Sequence, residues 1–234
     1  MKIRRLIRAF YPARCAVCDE VIAYDRMLCP VHERTLRPFA GDTCRKCGKP
    51  LRDTERLCCY DCSRKLHYFD RGFAVFKYED VRVGLYRFKY SGRAEYARFY
   101  AFAAHKVYGK TIREIGPDAI VPVPIHRKRM LVRGYNQAGL IAHELSGLTG
   151  IPVREDLVRR SKATLPLKNL SEDERKNNLK KAFIIASNDV KLKKILLVDD
   201  IYTTGSTIDA ISVLLRSTGV SEIYFLAVAI GAGL

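Results

Sequence analysis

From residue 73 onward the apolar residues alternate between two kinds of run. Phe73–Tyr78 (FAVFKY) alternates enough to predict a strand, whereas Asp80–Tyr90 places Val81, Leu85 and Phe88 at helical spacing. Ser91-Gly92 breaks that helix, and the Ala- and aromatic-rich stretch Glu95–Tyr108 predicts another, ending at Gly109. Ala119–Ile125 reads as a buried strand that runs into "VPVP". Each proline removes a ladder donor, so this strand end must be an edge or open into a loop. Gln137–Leu148 is an amphipathic helix closed by Thr149-Gly150-Ile151-Pro152. Arg160–Lys181 is polar, basic and without period, which predicts a long loop. Phe183–Ala186, Ile195–Val198 and Ile223–Ile230 read as strands. Thr207–Arg216 is a helix with Ile208, Ile211, Leu214 and Leu215 on one face, and Gly219 is its stop. Strands that alternate with helices and are apolar on both sides imply an α/β fold with a mostly parallel sheet covered on both faces.

The first 70 residues look different. All eight cysteines lie between Cys15 and Cys62, and none follows. With 234 residues the chain holds a small unit and a medium one, and the change of composition sets their boundary near Leu66–Arg71: 1–68 and 69–234. No apolar run approaches the ~20 residues that span a bilayer. The opening "MKIRRLIRAFYP" is interrupted by Arg8 and lacks a cleavage site, so a cytoplasmic protein without membrane insertion is expected. In that compartment clustered cysteines point to metal rather than disulfides.

The cysteines come as metal-type pairs: Cys15-x-x-Cys18, Cys29-x-x-His32, Cys44-x-x-Cys47 and Cys59-x-x-Cys62. A two-residue gap lets a tight turn present two ligands to one tetrahedral ion. Gaps of ten and eleven residues within the first and second halves suit short hairpins. The simplest expectation is two zinc ions in tandem ribbons, with interleaved pairing of first with third and second with fourth left open. Four protein ligands leave no open position, so the zinc role is structural. Cys58 is spare, as a substitute for Cys59 or a free thiol.

"KILLVDDIYTTGST" at 194–207 runs a buried strand into two acids and a hydroxyl-rich turn with one glycine. In parallel sheets ligands bind beyond the carboxyl ends of strands. Adjacent carboxylates need compensation by sugar hydroxyls, Mg2+ or arginines. The hydroxyls and N–H groups of Thr203-Thr204-Gly205-Ser206-Thr207 at a helix start suit a phosphate. Acids for a ribose beside amides for a phosphate describe a ribose-5-phosphate site. The segment resembles the signature of type I phosphoribosyltransferases. That likeness implies a sheet of type I phosphoribosyltransferase kind, with Asp199 and Asp200 facing the ribose hydroxyls and Thr203–Thr207 around the 5-phosphate of phosphoribosyl pyrophosphate, with magnesium. The basic stretch Arg127, Lys128, Arg129 and Arg133 follows "VPVP", where such enzymes hold pyrophosphate in a loop. In "RGYNQ" Asn136 serves as a helix cap or a ligand contact.

Cysteine pairs, "VPVP", "RGYNQ" and the Asp-Asp loop together resemble the ComF family of bacterial competence proteins, over nearly the whole chain, including Arg160–Thr164 and Leu170–Asn178. Two positions depart from that family's pattern: Leu167 stands where glutamine is usual, and His32 where cysteine is frequent. The resemblance implies handling of single-stranded DNA, with a competence helicase or DNA-processing protein as a possible partner. The net charge of +17 fits polyanions. Lys2–Arg8, Arg127–Arg133, Arg154–Lys181 and Lys191–Lys194 can track a phosphate backbone, and Tyr11, Tyr86, Tyr90 and Tyr135 can stack on bases. Two readings stay open: a DNA-handling protein that keeps a phosphoribosyl site, and a catalytic phosphoribosyltransferase acting on a nitrogen acceptor.

Overall fold

The computed structural model describes residues 11–39, 41–51, 53, 55–161, 182–187 and 191–231. In chain order the elements are α1 (Pro30–Thr35), α2 (Tyr60–Arg64), β1 (Arg71–Lys77), α3 (Tyr78–Tyr90), α4 (Tyr96–Ile115), β2 (Ala119–Pro122), α5 (Arg127–Arg133), α6 (Gln137–Thr149), β3 (Val158–Arg160), β4 (Phe183–Ile185), β5 (Lys194–Tyr202), α7 (Ser206–Ser217) and β6 (Glu222–Ile230). Four strands form one sheet in the order β1-β6-β5-β2. Every neighbouring pair in it is parallel, as the crossover helices demand. No helix among the described residues is long and apolar enough to cross a membrane.

Several expectations need correction. The long helix does not stop at Gly109 but continues to Ile115 and ends at Gly116 in the left-handed region (φ 61°). Burial of Ile112 outweighs the modest helix cost of an internal glycine, about 1 kcal/mol. β5 extends past Val198, so Asp199 and Asp200 lie inside the strand, held there by pairing of Asp199, Ile201 and Tyr202 with β6. β2 is shorter than expected, and its last ladder partners are Pro122 and Val198. β4 leaves the main sheet and pairs antiparallel with β3, an arrangement apolar content alone does not distinguish from a central strand. The basic stretch 127–133 is a helix, not a loop. The His126 side chain caps its start by accepting from the Lys128 N–H, and Gly134 (φ 81°) ends it. The expected long loop begins after β3; its residues 162–181, with Leu167, lie outside the described residues, as do Lys2–Arg8.

The sheet has an apolar layer on each side, and the cysteine segment contributes to both. On one side Cys15, Ala16, Val17 and Cys29 pack with Val75, Leu85, Phe88, Tyr100, Leu196 and Leu226. On the other, Cys44, Cys47 and Cys59 pack with Phe69, Ala74, Leu197, Tyr202, Ile211 and Phe225. The split follows the two-residue period of the strands. The segment also covers the outer edge of β1: the Gly72 N–H donates to Lys46 O (2.7 Å) and the Phe39 N–H to Val75 O (2.9 Å). Asp19 is the described non-glycine residue with positive φ (68°), in the turn after Cys18. Its carboxylate accepts from Arg93 Nε (2.8 Å) and from the Tyr96 hydroxyl. Burial acts to raise its pKa, but these bonds outweigh it and hold the carboxyl below the usual range.

Helix α3 approaches the first cysteine turn so closely that only hydrogen fits at Gly84. A Cβ there would lie 1.8 Å from Ala16 O, the atom that also accepts from the buried Tyr100 hydroxyl (2.8 Å). In an exposed helix Gly→Ala stabilises by about 1 kcal/mol. Gly84→Ala is expected instead to destabilise by about 2 kcal/mol and lower the melting temperature by roughly 4–8 °C. A variant that melts at or above wild type would overturn this close-contact account.

Candidate functional site

The open site follows from where the sheet stops. The Val123 N–H donates to Val198 O (2.9 Å), and among the described residues the ladder between β2 and β5 goes no further. From Asp199 on, β5 is therefore paired only with β6. Beside that freed edge is a cleft of about 490 Å³, the size of a small-molecule site. Asp199, Asp200 and Thr207 line it, with Lys128 and Arg129 of α5 opposite. Arg127, also a sequence candidate, is exposed and is not among the lining residues.

Three further cations line the cleft: Lys89 at the end of α3, Arg133 at the end of α5, and Arg160 at the end of β3. Of these, the sequence flagged Arg133 in the basic stretch and in "RGYNQ" and Arg160 in a segment of the family resemblance, while Lys89 gave no signal beyond a cation in a last helical turn. Five cations against two acids leave the cleft positive, which suits a polyanionic ligand. Lys89 Nζ lies 2.9 Å from Asp200 Oδ2, and the Asp200 N–H donates to Asp199 Oδ1 (2.9 Å). The Asp199 carboxyl opens toward the cleft yet is enclosed by protein, so desolvation, then the Asp200 charge, push its pKa up to about 8. The charges of Lys89 and Arg160 act the other way there but more weakly.

"RGYNQ" holds this wall in place. Tyr135 Oη donates to Phe88 O (2.6 Å), one of the last carbonyls of α3, which helical bonding leaves free. Gln137 is buried, donates to the same carbonyl (3.4 Å) and accepts from Arg133 Nη1 (2.9 Å). Asn136 accepts from the Ala138 N–H (3.2 Å) as cap of α6 and donates to Val123 O (3.1 Å), the carbonyl freed where β2 ends. Asn136 also lines the cleft, so capping and facing the ligand space coexist in one residue.

In the turn after β5, Gly205 (φ 76°) is the N-cap of α7, and no side chain caps that helix start. Thr203 and Thr204 are exposed, and the Thr204 and Ser206 hydroxyls lie 3.0 Å apart. A Cβ at Gly205 would fall 2.4 Å from the Tyr202 hydroxyl. The chain after the last cysteine pair grips this turn from behind. Lys65 Nζ donates to Thr204 O (3.0 Å) and lies 3.4 Å from Asp209 Oδ2. His67 Nδ1 is 2.9 Å from the same Asp209 oxygen, and the Tyr68 N–H donates to Asp209 Oδ1 (3.0 Å). The sequence gave no signal for Lys65 and little for His67, because their partner lies about 140 residues away.

The metal-type pairs converge in tandem, not interleaved. The ligand atoms of Cys15, Cys18, Cys29 and His32, and those of Cys44, Cys47, Cys59 and Cys62, each lie within 4.8 Å of one another. Cys18 and Cys29 Sγ are 3.8 Å apart and Cys47 and Cys59 Sγ 3.7 Å. A tetrahedral ion with Zn–S bonds of ~2.3 Å has an S···S edge of ~3.8 Å, and a disulfide would need ~2.05 Å. His32 Nδ1 faces the thiols of Cys29 (3.1 Å) and Cys15 (3.7 Å). In each set the third ligand, Cys29 or Cys59, is the N-cap of a short helix, α1 or α2, that brings the fourth ligand back. Both donor sets fit zinc. Cys58 belongs to neither.

These features agree with comparisons to known proteins. A family model for the double zinc ribbon domain matches residues 6–63, and one for the phosphoribosyl transferase domain matches residues 104–232. The class is thus a phosphoribosyltransferase domain preceded by a double zinc ribbon. Competence protein F of Haemophilus influenzae is 33% identical over 92% of this chain and 95% of its own length. DNA utilization protein YhgH of Escherichia coli K12 is 30% identical over 89% and 86%, and Competence protein ComFC of Bacillus subtilis is 29% identical over 83% and 85%. The chain belongs to the family of Competence protein F, ComFC and YhgH.

Asp199 provides a pH test of the cleft. Because its folded-state pKa is raised, the stability it contributes is complete below about pH 4 and is lost as pH rises toward 8. Asp199→Asn removes that loss. Its melting temperature should exceed that of wild type most at pH 8 and least near pH 4.5. A difference that does not change with pH would refute the enclosed-carboxyl account.

Proposed function

We propose that this protein handles incoming single-stranded DNA in the cytoplasm during natural transformation and binds phosphoribosyl pyrophosphate with Mg2+ in the cleft. The observation that carries the ligand reading is the meeting of Asp199 and Asp200 with five cations and Thr207, in the first turn of the uncapped α7, in one cleft that residues 203–206 do not line. The competence reading draws support from the names of the relatives, two of which are competence proteins and one a DNA utilization protein. A competence helicase or DNA-processing protein is the partner expected on the same ground.

In this reading Asp199 and Asp200 accept from the ribose hydroxyls, and Lys89, 2.9 Å from Asp200, holds it in position. Thr203, Thr204, Ser206 and Thr207, with the first N–H groups of α7, surround the 5-phosphate. Gly205 lets the backbone approach it. Lys128 and Arg129, with Arg133 and Arg160, face the pyrophosphate; Arg127 supports the charge of that wall from outside. Mg2+, held by the ligand's oxygens near the carboxylate pair, supplies neutralisation of the pyrophosphate charge.

The cationic wall also favours a second reading, catalytic transfer. There the ribose C1–oxygen bond breaks, pyrophosphate leaves with the bonding electrons, a nitrogen acceptor bonds to C1, and its proton passes to solvent. The cations would stabilise the leaving group. Residues 1–68 and 69–234 are the zinc-binding and phosphoribosyl parts, with the two zinc ions standing in for apolar core in the first.

Calorimetric titration of phosphoribosyl pyrophosphate with Mg2+ is expected to give heat with wild type and at least about tenfold weaker binding with Asp199→Ala/Asp200→Ala. The variant is more positive, so purely electrostatic binding would strengthen; no heat with wild type would remove the ligand reading. Pyrophosphate release with candidate acceptors tests catalysis. Metal analysis should give about two zinc ions per chain. Because Lys65 and His67 follow Cys62 closely and hold the phosphate turn, chelation should lower melting temperature and ligand affinity together. Unchanged affinity in a zinc-free, folded protein would refute that coupling.

A further inference from the structure

The four tyrosines that the sequence offers for base stacking separate in the structure. Tyr135 is partly buried and its hydroxyl is committed to Phe88 O. Tyr11 is 77% exposed at the start of the described chain and has no ring partner among the described residues. Tyr86 and Tyr90 are different. They stand one helical turn apart on α3, each 59% exposed, with ring centroids 5.0 Å apart. Tyr90 lines the cleft. On it sits the Arg133 guanidinium, 5.0 Å from the ring centroid, with Nη2 donating to Tyr90 Oη (3.2 Å).

The inner end of this row, Arg133 with Tyr90, is held from below, and Tyr86 leans on Tyr90 with the two rings tilted by 47°. Arg133 is fixed by the buried Gln137, and Gln137 and Tyr135 are both fixed by Phe88 O. Rings that bury little and yet are ordered by a buried network are a platform ready for a ligand, since the ordering cost is already met. Aromatic and guanidinium planes are the surfaces on which unpaired bases stack. The row leads into a cleft whose cations exceed its acids. The partner that complements both is a chain carrying flat rings and phosphate charge together.

We propose that Tyr86, Tyr90 and Arg133 form a base-stacking platform for single-stranded DNA at the mouth of the phosphoribosyl cleft. The proposal rests on the single-strand reading above and adds the residues, and the role of bases rather than phosphates alone, to it. It also makes the strand a neighbour of the cleft, so a base can lie beside bound phosphoribosyl pyrophosphate.

The test is fluorescence anisotropy with a labelled oligothymidylate of roughly 20 nucleotides, longer than the ~4–16 of typical single-strand sites, and an abasic oligomer of equal length. Tyr86→Ala/Tyr90→Ala should bind oligothymidylate about tenfold more weakly, with the salt slope kept. Tyr86→Phe/Tyr90→Phe should retain affinity, because the ring face suffices. Wild type should bind the abasic oligomer no better than the alanine variant binds oligothymidylate. Melting temperature checks the fold of each variant, and Tyr86→Ala alone, at a position that does not line the cleft, should weaken oligothymidylate binding while keeping phosphoribosyl pyrophosphate binding. Equal binding by wild type and alanine variant, or equal binding of abasic and thymidylate oligomers, would overturn the platform while leaving phosphate-based DNA binding standing. Wild type that binds neither oligomer would overturn both, and the ligand titration would still report on the cleft separately.

Discussion

The end of β2 governs the functional half of this molecule. A parallel sheet buries its strands by pairing them on both sides, and β5 is paired in that way as far as Val198. The β2 ladder then stops at Pro122 opposite Val198, and the Val123 N–H is its last donor to β5. One edge of β5 is released over four residues while the other stays fixed to β6. The freed stretch is straight, rigid and open to one side. Two carboxylates there face a cleft instead of a ladder, and the carbonyl orphaned at Val123 is taken by Asn136. The cap of α6, the position of α5 and the orientation of Arg133 all follow from that exchange.

The cysteine segment acts on the same sheet from outside. A chain of this size can build a core without metal, but a segment of about 60 residues buries too small a share of its surface to be more than marginal alone. The two ligand sets of the cysteine segment lie against opposite faces of the sheet and share its apolar layers. The segment also pairs with the outer edge of β1, which would otherwise invite another strand. The second set reaches the turn after β5 through Lys65 and His67, both anchored to Asp209. The cysteine segment is thus a brace on the fold and on that turn rather than a bead on a string.

The electrostatics of the cleft divide two adjacent acids into different roles. Asp200 has Lys89 at 2.9 Å. Asp199 has desolvation and its neighbour's charge, and its proton is held more tightly. Sequence adjacency gives no hint of this asymmetry, because the cation that pairs with Asp200, Lys89, comes from α3, far away in the chain.

Several features of the protein were legible in the chain alone. Ligand pairs spaced by two residues identify themselves, since a tight turn fixes their geometry locally. The acidic strand with its hydroxyl turn is likewise a local object, and so are the periods that separate strand from helix. Other features were decided by contacts distant in sequence. Tandem rather than interleaved ligand sets, Lys89 beside Asp200, Asp209 beneath His67, and the displacement of β4 from the main sheet all depend on which surfaces meet. The basic stretch, by contrast, became a helix through local signals, with His126 capping its start and Gly134 ending it. Sequence by itself determined the chemistry available here, because that is a property of residue type and short spacing. Tertiary structure decided which groups share one cleft, because burial, edge pairing and charge are properties of neighbours that the chain brings together only when folded.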